Sequence, residues 1–338
     1  MPHDTPFALH GLRVLVTGGT GFVGRHLLRA LDEAGAQVSC LVRAASNTAG
    51  LPTSVRPVLA DLTGGQGLDK AVQGQDMVIH MAALLFGLGW QDYLRGNAQA
   101  AQRLGAALRR SGGSVRRVVL VSSLAATGPS AVSPGVEDHT PPAPVSAYGW
   151  SKFMAEQALG RAAGDSMVTL RPPIIYGSGD RGLLPYFRSA RLGLVVTPGL
   201  GRPFPVSVIH VRDMVSAILC CLQPQAQGVY HCNDGAEHSM AHMGLRMARL
   251  MGRTARHLSL PLPVMGAAAA ATGLAGQVMA RLGMRTPSWN MDKYREARQP
   301  GWLCRGTRIR EELGFSPVVG LEEGLREAIE GYKTLGWL

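Results

Sequence analysis

The sequence predicts an α/β chain: a doubly wound parallel sheet followed by a smaller C-terminal lobe. Short β-branched apolar runs recur through the first half, and stretches with apolar residues at helical spacing separate them. A glycine cluster joins the first run to the first helical stretch. Runs that are apolar throughout belong to strands covered on both faces, as in a parallel sheet.

Val14, Leu15 and Val16 open the first strand. Gly18, Gly21 and Gly24 follow at three-residue spacing, with Gly19 and Thr20 between them, and Phe22, Val23, Leu27, Leu28 and Leu31 then fall at helix spacing. Glycine permits the tight turn and the close approach of a pyrophosphate. The helix N-terminus offers unpaired N–H groups and a partial positive charge to that anion. Gln37–Val42 is the second strand and ends at Arg43. An acid there would hold the adenosine ribose hydroxyls of NAD, whereas a cation suits the 2′-phosphate of NADP. Arg43 offers that phosphate a planar fork of donors.

The third strand, 55–59, leads to Asp61 and Leu62; the fourth, Met77–His80, runs into Met81, Ala82 and Ala83, whose small side chains leave room beside the backbone. A long helix is expected over 91–110, and a fifth strand over 115–121 runs into Ser122 and Ser123. The Pro- and Ser-rich loop 129–144 delivers the chain to Tyr148-Gly149-Trp150-Ser151-Lys152, and a helix continues through Leu159. A sixth strand, 167–170, ends at Arg171-Pro172-Pro173. The polar residues fall at the carboxyl ends of strands, where ligands of such sheets sit.

Tyr148 and Lys152 are four apart and share a helix face. A free phenol has a pKa of roughly 10, too high for a base at neutral pH. A cation about 4 Å away is worth on the order of 4 kcal/mol at an effective dielectric near 20, or roughly three pKa units. Lys152 is expected to be that cation. Tyr148 would then exchange a proton with a substrate alcohol or carbonyl, Ser123 would fix the same oxygen, and a nicotinamide would carry the hydride.

With these motifs the chain resembles the extended short-chain dehydrogenase/reductase family. The resemblance rests on residues 17–24, on His80-Met81-Ala82-Ala83, on Val121-Ser122-Ser123 and on residues 148–152. It extends to Leu170-Arg171-Pro172-Pro173 with Ile174-Ile175-Tyr176-Gly177, and to Ile209-His210-Val211-Arg212-Asp213. It implies a Rossmann fold over 12–177 and a mostly substrate-binding lobe over 178–338, with 206–232 returning to the Rossmann core. It implies Ser123, Tyr148 and Lys152 as the catalytic triad, Ser123 being chosen over Ser122 because it precedes Leu124 to Gly128 at the family's spacing. It also puts Asp61 and Leu62 at the adenine and Ala82 and Ala83 beside the cofactor, with a weaker match at Asn97. The glycine loop, Tyr148, Lys152 and Pro172 complete the expected cofactor contacts.

The chain has 338 residues, 46% hydrophobic and 17% charged, which suits a large packed core and excludes global disorder. Its five cysteines are odd in number and show no C-x-x-C pair, so free buried thiols in a reducing compartment are expected, with no bound metal. No charged segment followed by an apolar one opens the chain, so no secretory signal is expected and the location is taken as cytoplasmic. Residues 1–11 are expected to be a loose tail. The net charge is +11, and the span from Arg246 to Arg310 holds twelve Lys or Arg against two acids. No nucleic-acid motif accompanies this charge. A solvated basic face, or a surface meeting anionic lipid or an anionic substrate handle, accounts for it.

Beyond Gly177 the pattern loosens. Helices are expected over 183–194, 212–222, 240–251 and 321–332, and strands over 206–210 and 229–232. Residues 258–280 carry no charge, and Arg253, Arg256, Arg281 and Arg285 flank them. The segment is long enough to span a bilayer, but its Ala and Gly content and Pro261 and Pro263 favour a cap helix or a peripheral membrane contact through 258–285.

Nucleotide-sugar members of the family usually carry an Arg-Asp pair before the His-Val step, where this chain has residues 204–209, Phe-Pro-Val-Ser-Val-Ile. The missing Arg and the presence of Arg43 resemble the dihydroflavonol reductase-like and 3β-hydroxysteroid dehydrogenase-like branches. They imply an NADP-dependent oxidoreductase, with NAD less favoured, acting on an apolar ketone or alcohol of β-keto acyl or steroid-like type. An NAD-dependent nucleotide-sugar epimerase or dehydratase is the alternative, and a non-catalytic cofactor-binding scaffold the second. The family resemblance also allows a homodimer, which no feature of the sequence itself indicates.

Overall fold

A computed structural model describes residues 9–338 except Arg202 and Arg285. Seven strands form the main sheet: β1 (Arg13–Thr17), β2 (Gln37–Val42), β3 (Arg56–Leu59), β4 (Met77–His80), β5 (Arg117–Val121), β6 (Met167–Arg171) and β7 (Gly228–His231). Their order is β7-β6-β5-β4-β1-β2-β3, and every neighbouring pair is parallel. The order reverses between β1 and β4, so their carboxyl ends flank a crevice in which open α/β sheets bind ligands.

Alternation along β1 builds the two faces. Val14 and Val16 join Leu27, Leu28 and Leu31 of α1 (Phe22–Glu33) on one side. Leu15 joins, on the other, Leu104 and Leu108 of α2 (Ala100–Arg110) and Leu159 of α3 (Ala147–Ala163). The expected helix 91–110 is one helical run that widens into a π-helical turn at Leu94–Gln99.

Residues 9–11 depart from the expected loose tail. Leu9 is buried in the core, and the Gly11 N–H donates to the Gly35 carbonyl at 2.9 Å. Residues 1–8 of that tail lie outside the described residues. After β6 the chain builds the second lobe around Tyr176, Phe187, Met243, Leu325 and Tyr332. It also returns to the first lobe, where α4 (Val211–Cys220) packs Met214 and Ile218 into the α1 core and β7 pairs with β6.

The apolar segment 258–280 divides. Arg256–Leu260 is a strand paired in parallel with Leu194–Pro198, and α5 (Leu262–Arg281) begins just after Pro261. Proline at the helix boundary fixes φ and needs no N–H partner there, which sets the break. A short helix, α6 (Met291–Ala297), follows.

Candidate active site

The glycine turn sits hard against the segment after β4. Gly18 has φ of +77°, and a Cβ on it would stand 2.7 Å from the Ala82 nitrogen. The Ala82 N–H donates to Thr17 Oγ1 at 3.2 Å, and Thr17 Oγ1 is 2.7 Å from His80 Nδ1. Gly21 caps α1 with no side chain, and the first turn of α1 holds no acid. The N–H groups of Phe22, Val23 and Gly24 therefore have no side-chain cap among the described residues, which fits a pyrophosphate.

Arg25, which the sequence reading missed, frames this turn. Its Nε donates to the Thr20 carbonyl at 3.2 Å, and its two terminal nitrogens donate to Ala49 (2.6 Å) and Asn47 (3.1 Å). The loop after β2 is thereby folded beside the glycines. Arg43 opens that loop, exposed, and its guanidinium has no partner among the described residues. Asp61 and Leu62 lie past β3, where the Asp61 carboxylate accepts the Thr63 and Gly64 N–H groups at 2.8 and 2.9 Å. That carboxylate thus closes its own turn.

Ser123, Tyr148 and Lys152 meet at the carboxyl edge. Ser123 ends the segment after β5 and accepts the Ala125 N–H at 3.1 Å, so it caps the next short helix. Ser123 also acts on the Tyr148 phenol, opposing the rise that burial gives it. Ser122 is turned inward onto Glu156, leaving Ser123 as the serine presented to the crevice. The α3 N-terminus can come this close because residue 149 is glycine: a Cβ there would stand 3.1 Å from the Ala125 carbonyl carbon and 3.2 Å from Pro144 Cβ. Pro172, after β6, accepts the Leu124 N–H at 2.8 Å and pins the same corner. Ala83, next to Ala82, is half-buried at this edge.

Lys152 is 3% exposed and donates to the Val121 carbonyl at 2.7 Å. Burial lowers it to about 8, partly offset by the Glu156 carboxylate. The expected acidified phenol is not what the structure holds. Burial pushes Tyr148 well above the usual phenol range, Ser123 opposes this, and Glu296 adds to it. Desolvation of the buried phenol is the largest effect on it, and no Lys152 attraction offsets it.

Asn97 is buried and its amide is committed within the protein. Its Oδ1 accepts the Leu84 N–H at 2.7 Å, and its Nδ2 donates to the Leu84 carbonyl (3.1 Å) and to Ser151 Oγ (2.8 Å). It thereby ties the segment after Ala83 to α3.

A second group from the C-terminal lobe was missed. The Asp292 carboxylate accepts the Ala147 and Tyr148 N–H groups at 2.6 and 3.2 Å, placing a negative charge on the N-terminus of α3. Ser146 Oγ donates to Glu296 at 2.7 Å and accepts the Gly149 N–H at 3.0 Å. Lys293 lies 4.7 Å from the Tyr148 ring centre. Asn290, with its side chain accepting two N–H groups of α6, was readable as a helix cap; its Nδ2 bond to the Gly87 carbonyl at 2.9 Å was not.

Burial holds two further histidines neutral. His80 falls to about 3, with Lys152 adding to the effect, and His210 to about 4, with Arg212 and His26 adding to it. Both folded-state values lie below the unfolded one, near 6.5. Between those values the unfolded chain takes up protons that the folded chain refuses. Their contribution to stability is therefore full above pH 6.5 and is lost as pH falls, by up to ~1.4 kcal/mol per pH unit for each. Denaturant midpoints are expected to drop from pH 7 to pH 5; midpoints that hold level would contradict this. His210 is a helix cap, accepting the Arg212 N–H at 3.4 Å, in keeping with a structural role.

A cavity of about 630 Å³ adjoins this corner. Leu88, Trp90, Tyr93, Ala147, Trp150 and Leu274 line it, and Ser123, Tyr148 and Lys152 do not. Tyr93 links the two, its ring 6.0 Å from that of Tyr148.

Comparison with known proteins matches residues 14–232 to the NAD dependent epimerase/dehydratase family. The chain is 30% identical to a ceramide reductase of Caulobacter vibrioides (strain NA1000 / CB15N) over 96% of both chains. It is 28% identical to a 4-hydroxy-2-methyl-3-oxo-4-farnesyl-3,4-dihydroquinoline-1-oxide ketoreductase of Stigmatella aurantiaca, over 93% of this chain and 95% of the other. Among solved structures it resembles MoeE5 in complex with UDP-glucuronic acid and NAD, with a TM-score of 0.74 and 25% identity over 96% of this chain and 99% of that one.

Proposed function

Because the chain belongs to the NAD dependent epimerase/dehydratase family, we propose that it reduces an apolar ketone with NADPH, with Tyr148 as the proton donor. The observation that carries the reading is Lys152 closed on the Val121 carbonyl of β5, two residues before Ser123, with Tyr148 one turn earlier on α3, at the sheet edge that also carries the uncapped glycine turn. When bound, the nicotinamide supplies the hydride. Ser123 holds the carbonyl oxygen, and Tyr148 delivers its proton to it. Burial keeps that phenol protonated at neutral pH, which suits donation in the reductive direction. Lys152, lowered to about 8, is still an ammonium at pH 7 and opposes the charge left on the phenol.

The apolar substrate rests on two supports. The cavity beside Tyr93 has a largely apolar wall, and two relatives are named for ceramide and for a farnesylated quinoline. The nucleotide-sugar reading has the likeness to MoeE5 in its favour. Against it, Val206 and Val208, in the stretch that would carry the arginine, are fully buried in the lobe core.

NADP is favoured by the unpartnered Arg43 guanidinium. Arg43→Ala is expected to weaken NADPH binding by about 10- to 100-fold, from the loss of a charge-assisted contact, and to leave NADH binding unchanged. Fluorescence titration of both nucleotides checks this. Wild-type protein that binds NADH as tightly as NADPH overturns the assignment, and hydride returned to a bound sugar without net NADPH consumption would favour the epimerase.

A further inference from the structure

Among the described residues, α5 is the one helix long and apolar enough to cross a membrane, and most of it is exposed. It runs 20 residues, and its most apolar 18-residue window has a mean hydropathy of 1.3 and is only 11% buried. It is held flat on the body. Ala269 is fully buried, a Cβ on Gly276 would stand 3.1 Å from Leu88 Cδ2, and one on Gly266 would stand 3.1 Å from the Tyr294 ring. Before it, the strand Arg256–Leu260 pairs with Leu194–Pro198; after it, α6 is fastened to α3 through Asp292. A helix tied at both ends lies along a surface rather than crossing a bilayer.

Its outer face carries Val264, Leu274 and Val278, each more than half exposed, and the turn after it adds Leu282 at 69% and Met284 at 55%. No charged residue interrupts 258–280. Arg253 and Arg256 precede the stripe in the chain and Arg281 ends α5, all exposed and none with an acidic partner among the described residues. Arg285, at the same margin, lies outside the described residues.

We propose that α5 is a membrane-interface helix that lies in the headgroup region of an anionic bilayer. Its apolar stripe meets the acyl chains and Arg253, Arg256 and Arg281 meet lipid phosphates. Charge decides against a second copy of this chain as the occupant: two such faces would set unpaired arginines against each other, whereas anionic headgroups neutralise them. The helix also lines the 630 Å³ cavity with Ala270, Gly273, Leu274 and Gln277. An amphiphilic ketone therefore passes from the bilayer into that cavity beneath α5, a clause that rests on the function proposed above.

The test is flotation of the full chain with vesicles of phosphatidylcholine alone or mixed with phosphatidylglycerol. Wild-type protein is expected to bind the mixed vesicles roughly 100-fold better, as three arginines near an anionic surface imply, and to lose that preference as salt is raised. The double variant V278E/L282E, altered outside the cavity and the catalytic edge, is expected to lose vesicle binding while keeping wild-type NADPH affinity. Wild-type protein that floats with neither vesicle, or a variant that floats as well as wild type, overturns the proposal. So does a wild-type dimer that the variant converts to monomer without any vesicle binding. Turnover of a water-soluble ketone reads the active site alone. Vesicle binding without turnover would remove the substrate route and the ketone reading, and leave the surface standing.

Discussion

Tyr148→Phe is expected to lower kcat for carbonyl reduction by roughly 10²- to 10⁴-fold, the range for loss of a positioned general acid. NADPH affinity and folding stability should stay close to wild type. The ring is buried at 9% exposure, packs 6.0 Å from the Tyr93 ring and lies under the Lys293 ammonium. Phenylalanine keeps all three of these relations and loses only the hydroxyl. Ser123 still caps its own helix through the Ala125 N–H. The pH profile follows from Lys152. Its folded value of about 8 means that the ammonium supporting the emerging phenolate is lost above that pH, so kcat should decline from pH 8 upward. Steady-state kinetics and cofactor titration on the same preparation check both statements. Undiminished turnover in the variant would remove Tyr148 from the chemistry.

Glu156→Ala is expected to destabilise the fold by about 3–5 kcal/mol, the usual result of stranding one partner of a buried ion pair. Glu156 stands one turn after Lys152 on α3. Its carboxylate takes Arg171 Nε at 3.0 Å and Nη2 at 2.6 Å, and also the Ser122 hydroxyl. Both side chains of the pair are almost fully buried. Without Glu156, the Arg171 guanidinium keeps only a 3.1 Å bond to Thr127 Oγ1, and Ser122 loses its acceptor. Ser122 adjoins Ser123 and Arg171 adjoins Pro172, so activity should fall with stability. Urea unfolding of the two proteins measures the difference; a change below ~1 kcal/mol, as for a surface pair, would show that water reaches Arg171.

The parts legible in the sequence share one property: their signal is local. The glycine spacing, the β-branched runs and the four-residue offset of Tyr148 and Lys152 each depend on neighbours along the chain, and the seven-stranded parallel sheet follows from them. Gly149 stood in the quoted motif, but its reason, the approach of Ala125, needs the folded backbone. What stayed hidden depends on contacts between distant segments. Asp292 on the N-terminus of α3 is one example, and the pairing of Arg256–Leu260 with Leu194–Pro198 is another. The raised phenol of Tyr148 is a third, since desolvation is a property of the packed site and no spacing reports it.

The most direct test is a crystal structure of the chain with NADPH. The pyrophosphate is expected on the N–H groups of Phe22 to Gly24, the 2′-phosphate on Arg43, and the nicotinamide ring beside Tyr148. Room is expected for a carbonyl oxygen within about 3–3.5 Å of the phenol. A nicotinamide bound away from Tyr148 and Ser123, with Lys152 still closed on Val121, would contradict it.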